Sequence, residues 1–192
     1  KNEASASTQK HLPPLKTMIT SPFGERRLGG TTGIRFHSGL DIRAHLGWPV
    51  VALSDALVSK AGFYGRAGIM VELEHKDGTS SRYAHLQTTT VREGETVKKG
   101  DKIGEVGCTG YTTGAHLHFA LYSARHEALD PAKYLESADE ILRPDPKLIP
   151  DKLGPQQCNG HFSPYVPARS NYSVHSVPAG RRGPVIRGRT GK

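Results

Sequence analysis

Ile69-Met70-Val71-Glu72-Leu73-Glu74, the turn pair Asp77-Gly78 and Ser81-Arg82-Tyr83-Ala84-His85-Leu86 are the stretch on which the fold turns. Two β-prone runs flank a dipeptide that easily meets the positive φ angles of a tight hairpin. The stretch predicts a β-hairpin with His75 and His85 on its two arms. The same texture extends outward from Thr20 to about Leu135. Val50-Val51-Ala52-Leu53 and Ala56-Leu57-Val58 are short apolar runs, and Val91 to Gly104 is turned repeatedly by glycines. This spacing predicts a mostly β, antiparallel domain. Asp130 caps a short helix with Pro131 at its first position, and a second short helix is expected up to Leu142. Pro144, Pro146, Pro150 and Pro155 then break regular structure.

Composition divides the chain into three parts. Residues 1–18 are polar, then Pro-containing, and read as a tether or wrapping segment outside the main core. Residues 19–135 form the catalytic-type domain, and 136–192 a Pro/Gly/Arg-rich basic extension. The 192 residues carry a formal charge of +8. Pro155 to Lys192 contains six basic residues and no acid, which leaves 20 basic and 18 acidic residues before it. Such a tail suits an anionic wall polymer, a protein partner, anionic lipid or nucleic acid, and charge alone does not choose. No nucleic-acid recognition motif accompanies it, so nucleic acid is not expected as a partner. No apolar run approaches the roughly 18 residues of a membrane span, and Lys1-Asn2-Glu3 has the look of a mature or trimmed end. Cys108 and Cys158 permit one disulfide without implying it.

The chemistry lies in three short elements. Ala115-His116-Leu117-His118-Phe119-Ala120-Leu121 alternates, so a strand projects His116 and His118 from one face and Leu117, Phe119 and Leu121 into the core. His37 and Asp41, in Arg35-Phe36-His37-Ser38-Gly39-Leu40-Asp41-Ile42, have an even spacing that places both on one strand face, with Gly39 leaving room for a shared ligand. Tyr83 and His85 are expected on one hairpin face, with Ala84 and Leu86 facing inward. A lone histidine is more often structural than catalytic. Here His37, Asp41 and one histidine of the pair supply the three nitrogen and oxygen ligands that a catalytic zinc takes, leaving a position for water.

In order, Ser21-Pro22-Phe23-Gly24-Glu25-Arg26, His37-x-Gly39-x-Asp41, Gly47-x-Pro49-Val50-x-Ala52, Tyr83-Ala84-His85-Leu86, Val97-Lys98-Lys99-Gly100-Asp101-x-Ile103-Gly104 and Gly107-x-Thr109-Gly110-x-x-Thr113-Gly114-x-His116-Leu117-His118-Phe119 resemble the lysostaphin-type, or LytM-like, zinc metallopeptidases. The resemblance implies a sandwich-like antiparallel domain with its zinc site in a groove between loops. It implies one zinc ion per chain, held by His37, Asp41 and His118, with His85 and His116 as catalytic histidines. It also implies endopeptidase activity on peptidoglycan cross-links or stem peptides, in the periplasm or outside the cell. His116 is expected to take the water's proton and His85 to hydrogen-bond the oxyanion, roles that are interchangeable at this stage. Gly47-Trp48-Pro49, Asp55-Ala56 and Ala120 depart from the usual pattern without touching a ligand.

Other features carry blander expectations. His45, His75 and His126 suit surface or turn roles, and His11, His161 and His175 sit in irregular segments. Trp48 and Phe63-Tyr64 suit packing more than a substrate groove. The competing reading is a catalytically silent domain of the same fold, acting as a wall-binding or regulatory scaffold. Glu93 to Asp101 resembles biotinyl and lipoyl carrier turns, but a modifiable lysine in the required context is missing.

Overall fold

The computed structural model describes residues 12–27, 33–150 and 158. His11, His161, His175 and the basic residues from Arg169 to Lys192 lie outside them. The described chain is almost entirely antiparallel strand, as expected. A short helix, α1 (Leu15–Met18), precedes β1 (Ile19–Ser21), β2 (Gly24–Arg27), β3 (Ile34–His37), β4 (Leu40–Arg43), β5 (Pro49–Val51) and β6 (Ala56–Phe63). Then follow β7 (Ile69–His75), β8 (Ser80–Thr89), β9 (Thr96–Val97), β10 (Lys102–Val106), β11 (His116–Tyr122) and β12 (Ala128–Leu129). Ten of these make one sheet in the order β1-β4-β11-β8-β7-β6-β9, with β12 on β11 and β10 bridging β8 and β5. β2 and β3 form a separate two-stranded ribbon. Among the described residues no helix is long and apolar enough to cross a membrane.

The Asp77-Gly78 hairpin is present: β7 and β8 pair around it, and the Asp77 carboxylate accepts from the Thr79 N–H and hydroxyl. β8, at ten residues, organises the sheet. Its first half pairs with β11, Tyr83 opposite Phe119 and Ala84 opposite His118. Its second half pairs with β10, Leu86 opposite Val106 and Thr89 opposite Gly104. The change of neighbour falls at His85, whose φ is 61°. There β8 also gains a residue on β7, with Ile69 opposite Leu86 and Val71 opposite Tyr83. A bulge of this kind re-aims side chains locally.

That bulge overturns the expected facing of the Tyr-x-His-Leu segment. Tyr83 is fully buried against Phe119, with ring centroids 5.2 Å apart, and its hydroxyl accepts from the Leu53 N–H at 3.0 Å. Ala84, expected inward, lines the groove together with His85. Strict alternation assumes an uninterrupted strand, and the left-handed residue interrupts it.

The core reaches further along the chain at both ends than composition indicated. Leu12, Leu15 and Met18 lie within the main apolar cluster, so this part of residues 1–18 is not outside the core. Leu15 and Met18 lie three apart on the single turn of α1, and Leu12 precedes it, a stretch too short to register as a period. Beyond residue 135, Ala138, Ile141, Leu142 and Ile149 join the same cluster. The Val51 N–H donates to the Ile141 carbonyl at 3.0 Å, and Leu142 bridges Val50. The expected helices are single 3₁₀ turns, Pro131–Lys133 capped by Asp130 and Ala138–Glu140 within a capping box from Ser137. Trp48 is buried and stacked on His45, but Phe63 and Tyr64 are exposed rather than packed. A disulfide joins Cys108 to Cys158 with Cα atoms 6.0 Å apart. Ile141→Ala is expected to cost about 2 to 5 kcal/mol of stability by leaving a cavity in this core, measured by chemical denaturation.

Candidate metal centre and groove

His37 ends β3 of the ribbon, and Asp41 lies on β4 of the large sheet. They are not on one strand, because the chain turns at Ser38-Gly39 and passes from one sheet to the other. Gly39 has a different task from leaving ligand space. A Cβ there would collide with the Phe119 carbonyl oxygen, so glycine lets the turn lie directly on β11. Asp41 is then opposite His118 across β4 and β11. His116 and His118 share a face as the alternation predicts, while Leu117 and Phe119 are fully buried on the other.

One ligand atom from each of His37, Asp41 and His118 lies within 4.8 Å of the others. His37 Nε2 is 3.1 Å from Asp41 Oδ1 and 3.1 Å from His118 Nδ1, and His118 Nδ1 is 2.8 Å from Asp41 Oδ1. Ligand bonds of about 2.0 to 2.2 Å in a tetrahedral zinc site place ligand atoms about 3.3 Å apart, close to this triangle. Proton accounting agrees. His37 Nδ1 donates to the Pro22 carbonyl at 2.8 Å, so Nε2 presents its lone pair to the triangle. Asp41 can only accept when ionised. A cation is the common partner that satisfies a lone pair, a carboxylate and a second imidazole converging on one point, so the residues fit such an ion.

Burial alone would push the Asp41 carboxyl up. At the acid pH where Asp41 titrates the histidines are protonated, and hydrogen bonds from His118 and His37, with the charge of His116, outweigh it and hold the group far below the usual carboxylate range. Arg26 adds an ion pair to Asp41 at 3.3 Å and also bonds the Ser21 hydroxyl. Sequence reasoning gave no role to Arg26 or Pro22, although both stand in the first quoted motif.

His85 and His116 flank the triangle, their ring centroids 4.9 Å apart, and His85 lies 5.9 Å from His118. Each is held through Nδ1 by a backbone carbonyl. His85 donates to Thr109 at 2.9 Å and His116 to Gly114 at 2.8 Å, with the Thr112 hydroxyl also 3.1 Å from the latter ring. In both neutral rings Nε2 therefore keeps a lone pair, and for His116 that atom is 3.6 Å from Asp41 Oδ1. Burial, aided by the neighbouring His116, pushes His85 down to about 4. Burial likewise lowers His116, against the pull of Asp41. Both are ready acceptors at neutral pH. His75 is elsewhere, between the Ser54 and Ser81 hydroxyls, and His126 sits in a turn after Ser123.

These groups open into a groove of about 670 Å³. Phe36, Ser38 and Arg35 line it from the region around the ribbon, and Arg66, Ala67, Tyr111, Thr112 and Thr113 from the loops that follow β6 and β10. Arg82, also in the lining, is fixed from behind. Its Nε and Nη2 donate to Glu72 at 2.8 and 2.6 Å, its Nη1 to the Tyr122 hydroxyl at 3.1 Å, and Lys60 completes the cluster on Glu72 at 3.1 Å. Burial pushes the Glu72 carboxyl up, but the bonds from Arg82 and Lys60 outweigh it and hold the group below its ordinary value of 4.5. A depressed folded value stabilises above the unfolded value and loses that contribution as pH falls through the folded one. Glu72→Gln is thus expected to cost about 1 to 3 kcal/mol near neutrality. The gap from the parent protein should narrow as pH drops below 4.5 in denaturation curves. A constant gap down to acid would show that the charge of Glu72 is not responsible.

Residues 35–131 match Peptidase family M23, half of the chain. A peptidoglycan DD-endopeptidase of Vibrio cholerae, ShyC, is 40% identical over 102 residues, covering 53% of this chain and 24% of the relative. An uncharacterised metalloprotease of Haemophilus influenzae is 41% identical over 106 residues, 54% of this chain and 22% of the relative. The match thus spans under a quarter of the length of these curated relatives. Among solved structures, the catalytic domain of the antimicrobial peptidase lysostaphin from Staphylococcus simulans aligns with a TM-score of 0.56 and 34% identity, covering 64% of this chain and 96% of that domain. A zinc-containing peptidase from Vibrio cholerae aligns with a TM-score of 0.55 and 35% identity, over 58% of this chain and 35% of that one. With the fold, the ligand triangle and the matched span in agreement, the chain belongs to peptidase family M23, a family of metallopeptidases.

Proposed function

We propose that this chain is a zinc-dependent endopeptidase acting on peptidoglycan peptides, with His37, Asp41 and His118 as metal ligands and His85 and His116 as catalytic residues. The observation that carries the reading is the candidate ligand triangle flanked by two carbonyl-held histidines, all lining one groove of about 670 Å³. Two imidazoles and one carboxylate are a donor set that zinc favours, and the solved relative from Vibrio cholerae contains zinc. Zinc, when bound, supplies a Lewis acid that polarises a carbonyl and makes water acidic near neutral pH. The substrate class follows the relatives, one of which is a peptidoglycan DD-endopeptidase. That substrate lies in the cell envelope, and the Cys108–Cys158 bridge fits an oxidising compartment there.

His85 and His116 divide the proton work in time rather than by fixed role. Each neutral ring offers Nε2 as an acceptor, so neither donates to an oxyanion until it has taken a proton. The ring that removes the proton of the attacking water becomes an imidazolium and then donates, to the oxyanion or to the leaving amine. With centroids 4.9 Å apart, the two rings disfavour a second charge, which keeps the other ring an acceptor. The ionised Asp41 beside His116 favours that ring as the one that charges.

Purified peptidoglycan of several cross-link types, digested with and without chelator and analysed by mass, tests the reading. New peptide termini are expected that vanish on chelation and return with zinc. His118→Ala should lose stoichiometric zinc binding in equilibrium dialysis and should not be rescued by added zinc. Retention of both zinc and hydrolysis by that variant would refute the ligand assignment. Absence of chelator-sensitive products from every wall type would leave the scaffold reading in its place.

A further inference from the structure

The groove is lined by four arginines, Arg26, Arg35, Arg66 and Arg82, against one carboxylate, Asp41. Arg26 is spent on Asp41 and Arg82 on Glu72. Among the described residues, no carboxylate pairs with Arg66 or Arg35. Of these two, Arg66 is the braced one. It lies in the 3₁₀ turn Gly65–Ala67, with its guanidinium 4.3 Å from the centroid of the Tyr111 ring. Its carbonyl accepts from the Tyr111 N–H at 2.8 Å. The two loops touch backbone to backbone, since a Cβ at Gly110 would collide with the Gly68 nitrogen. Thr109 in the second loop receives the Ile69 N–H at 2.8 Å and holds His85 through its carbonyl. A cation with no carboxylate partner among the described residues is thereby fixed to the same wall as a proposed catalytic histidine.

We propose that Arg66 is the specificity-determining residue of the groove and reads a free carboxylate on the substrate peptide, selecting anionic stem peptides over neutral strands such as glycine bridges. The proposal rests on the peptidase reading above. A guanidinium matches a carboxylate with two parallel N–H donors. Stacking on Tyr111 orders the fork before substrate arrives, so less freedom is lost on binding. The carboxylate can belong to a peptide terminus or to a side chain at the cross-link, and both present the same chemistry.

The zinc-loaded chain would be assayed on cross-linked stem peptides in three forms, with all carboxylates free, with only the terminal carboxylate amidated and with only the side-chain carboxylate amidated, and on pentaglycine. One amidated form is expected to lose about ten- to hundredfold in kcat/KM relative to the free form, identifying the source of the carboxylate. In Arg66→Ala the ratio of free to amidated peptide should collapse toward one, and Arg66→Lys should retain part of it. Arg125→Ala, which removes an exposed turn charge outside the groove, should keep the parent ratio. The proposal is overturned if Arg66→Ala slows all substrates alike, if Arg35→Ala and not Arg66→Ala collapses the ratio, or if the parent enzyme cleaves every form equally. Absence of hydrolysis of all four by the zinc-loaded parent would remove the peptidase reading as well. Hydrolysis without discrimination removes this proposal alone.

Discussion

β11 lies between β4 and β8 with His118 opposite Asp41 on one side and Ala84 on the other. Side chains alternate along a strand, so a slip of one residue would send His118 into the core and bring Leu117 or Phe119 to the groove. The register is locked because those two apolar residues are fully buried with Ile42, Leu40 and Tyr83. Packing on one face therefore fixes the geometry of the candidate ligands on the other. The close approach of Gly39 to the Phe119 carbonyl extends the same constraint to His37, which arrives from a different sheet.

The second wall is built differently. β8 leaves β11 and joins β10 at His85, and the loop from β10 to β11 runs past that break. Thr109 ties the loop to β7 and β8 through its hydroxyl and to His85 through its carbonyl. The left-handed backbone of His85 costs of order 1 to 3 kcal/mol in a non-glycine residue, and the surrounding hydrogen bonds hold it there. Cys108, next to Thr109, is bonded to Cys158, so the chain beyond the domain core is anchored at this wall.

The two walls carry opposite electrostatic tasks. Near the candidate ligand triangle, the histidines hold the Asp41 carboxyl low despite its burial, and Arg26 pairs with it. Toward the rim, Arg66 stacked on Tyr111 leaves positive charge uncompensated by the described residues. The near neutrality of the residues before Pro155 gives no sign that four arginines and one carboxylate line a single groove.

Alternation alone placed His116 and His118 together, and the Asp77-Gly78 and Asp130-Pro131 pairs located a hairpin and a capped turn, since these depend on neighbours within a few residues. The motif pattern also gathered His37, Asp41, His85, His116 and His118 as one set. Local period could not see that His37 and Asp41 belong to different sheets, or that a bulge turns Ala84 and His85 to the groove while Tyr83 goes to the core. Composition likewise gave no sign that Leu12, Leu15, Met18, Ile141 and Leu142 join the core, because burial is decided by what the rest of the chain brings against them. The sequence by itself determined which side chains are the candidates for the chemistry. Only the tertiary structure decided the lone-pair directions of His37 and His85, through the carbonyls of Pro22 and Thr109, and the pairing that leaves Arg66 without a carboxylate among the described residues, because both depend on groups distant along the chain.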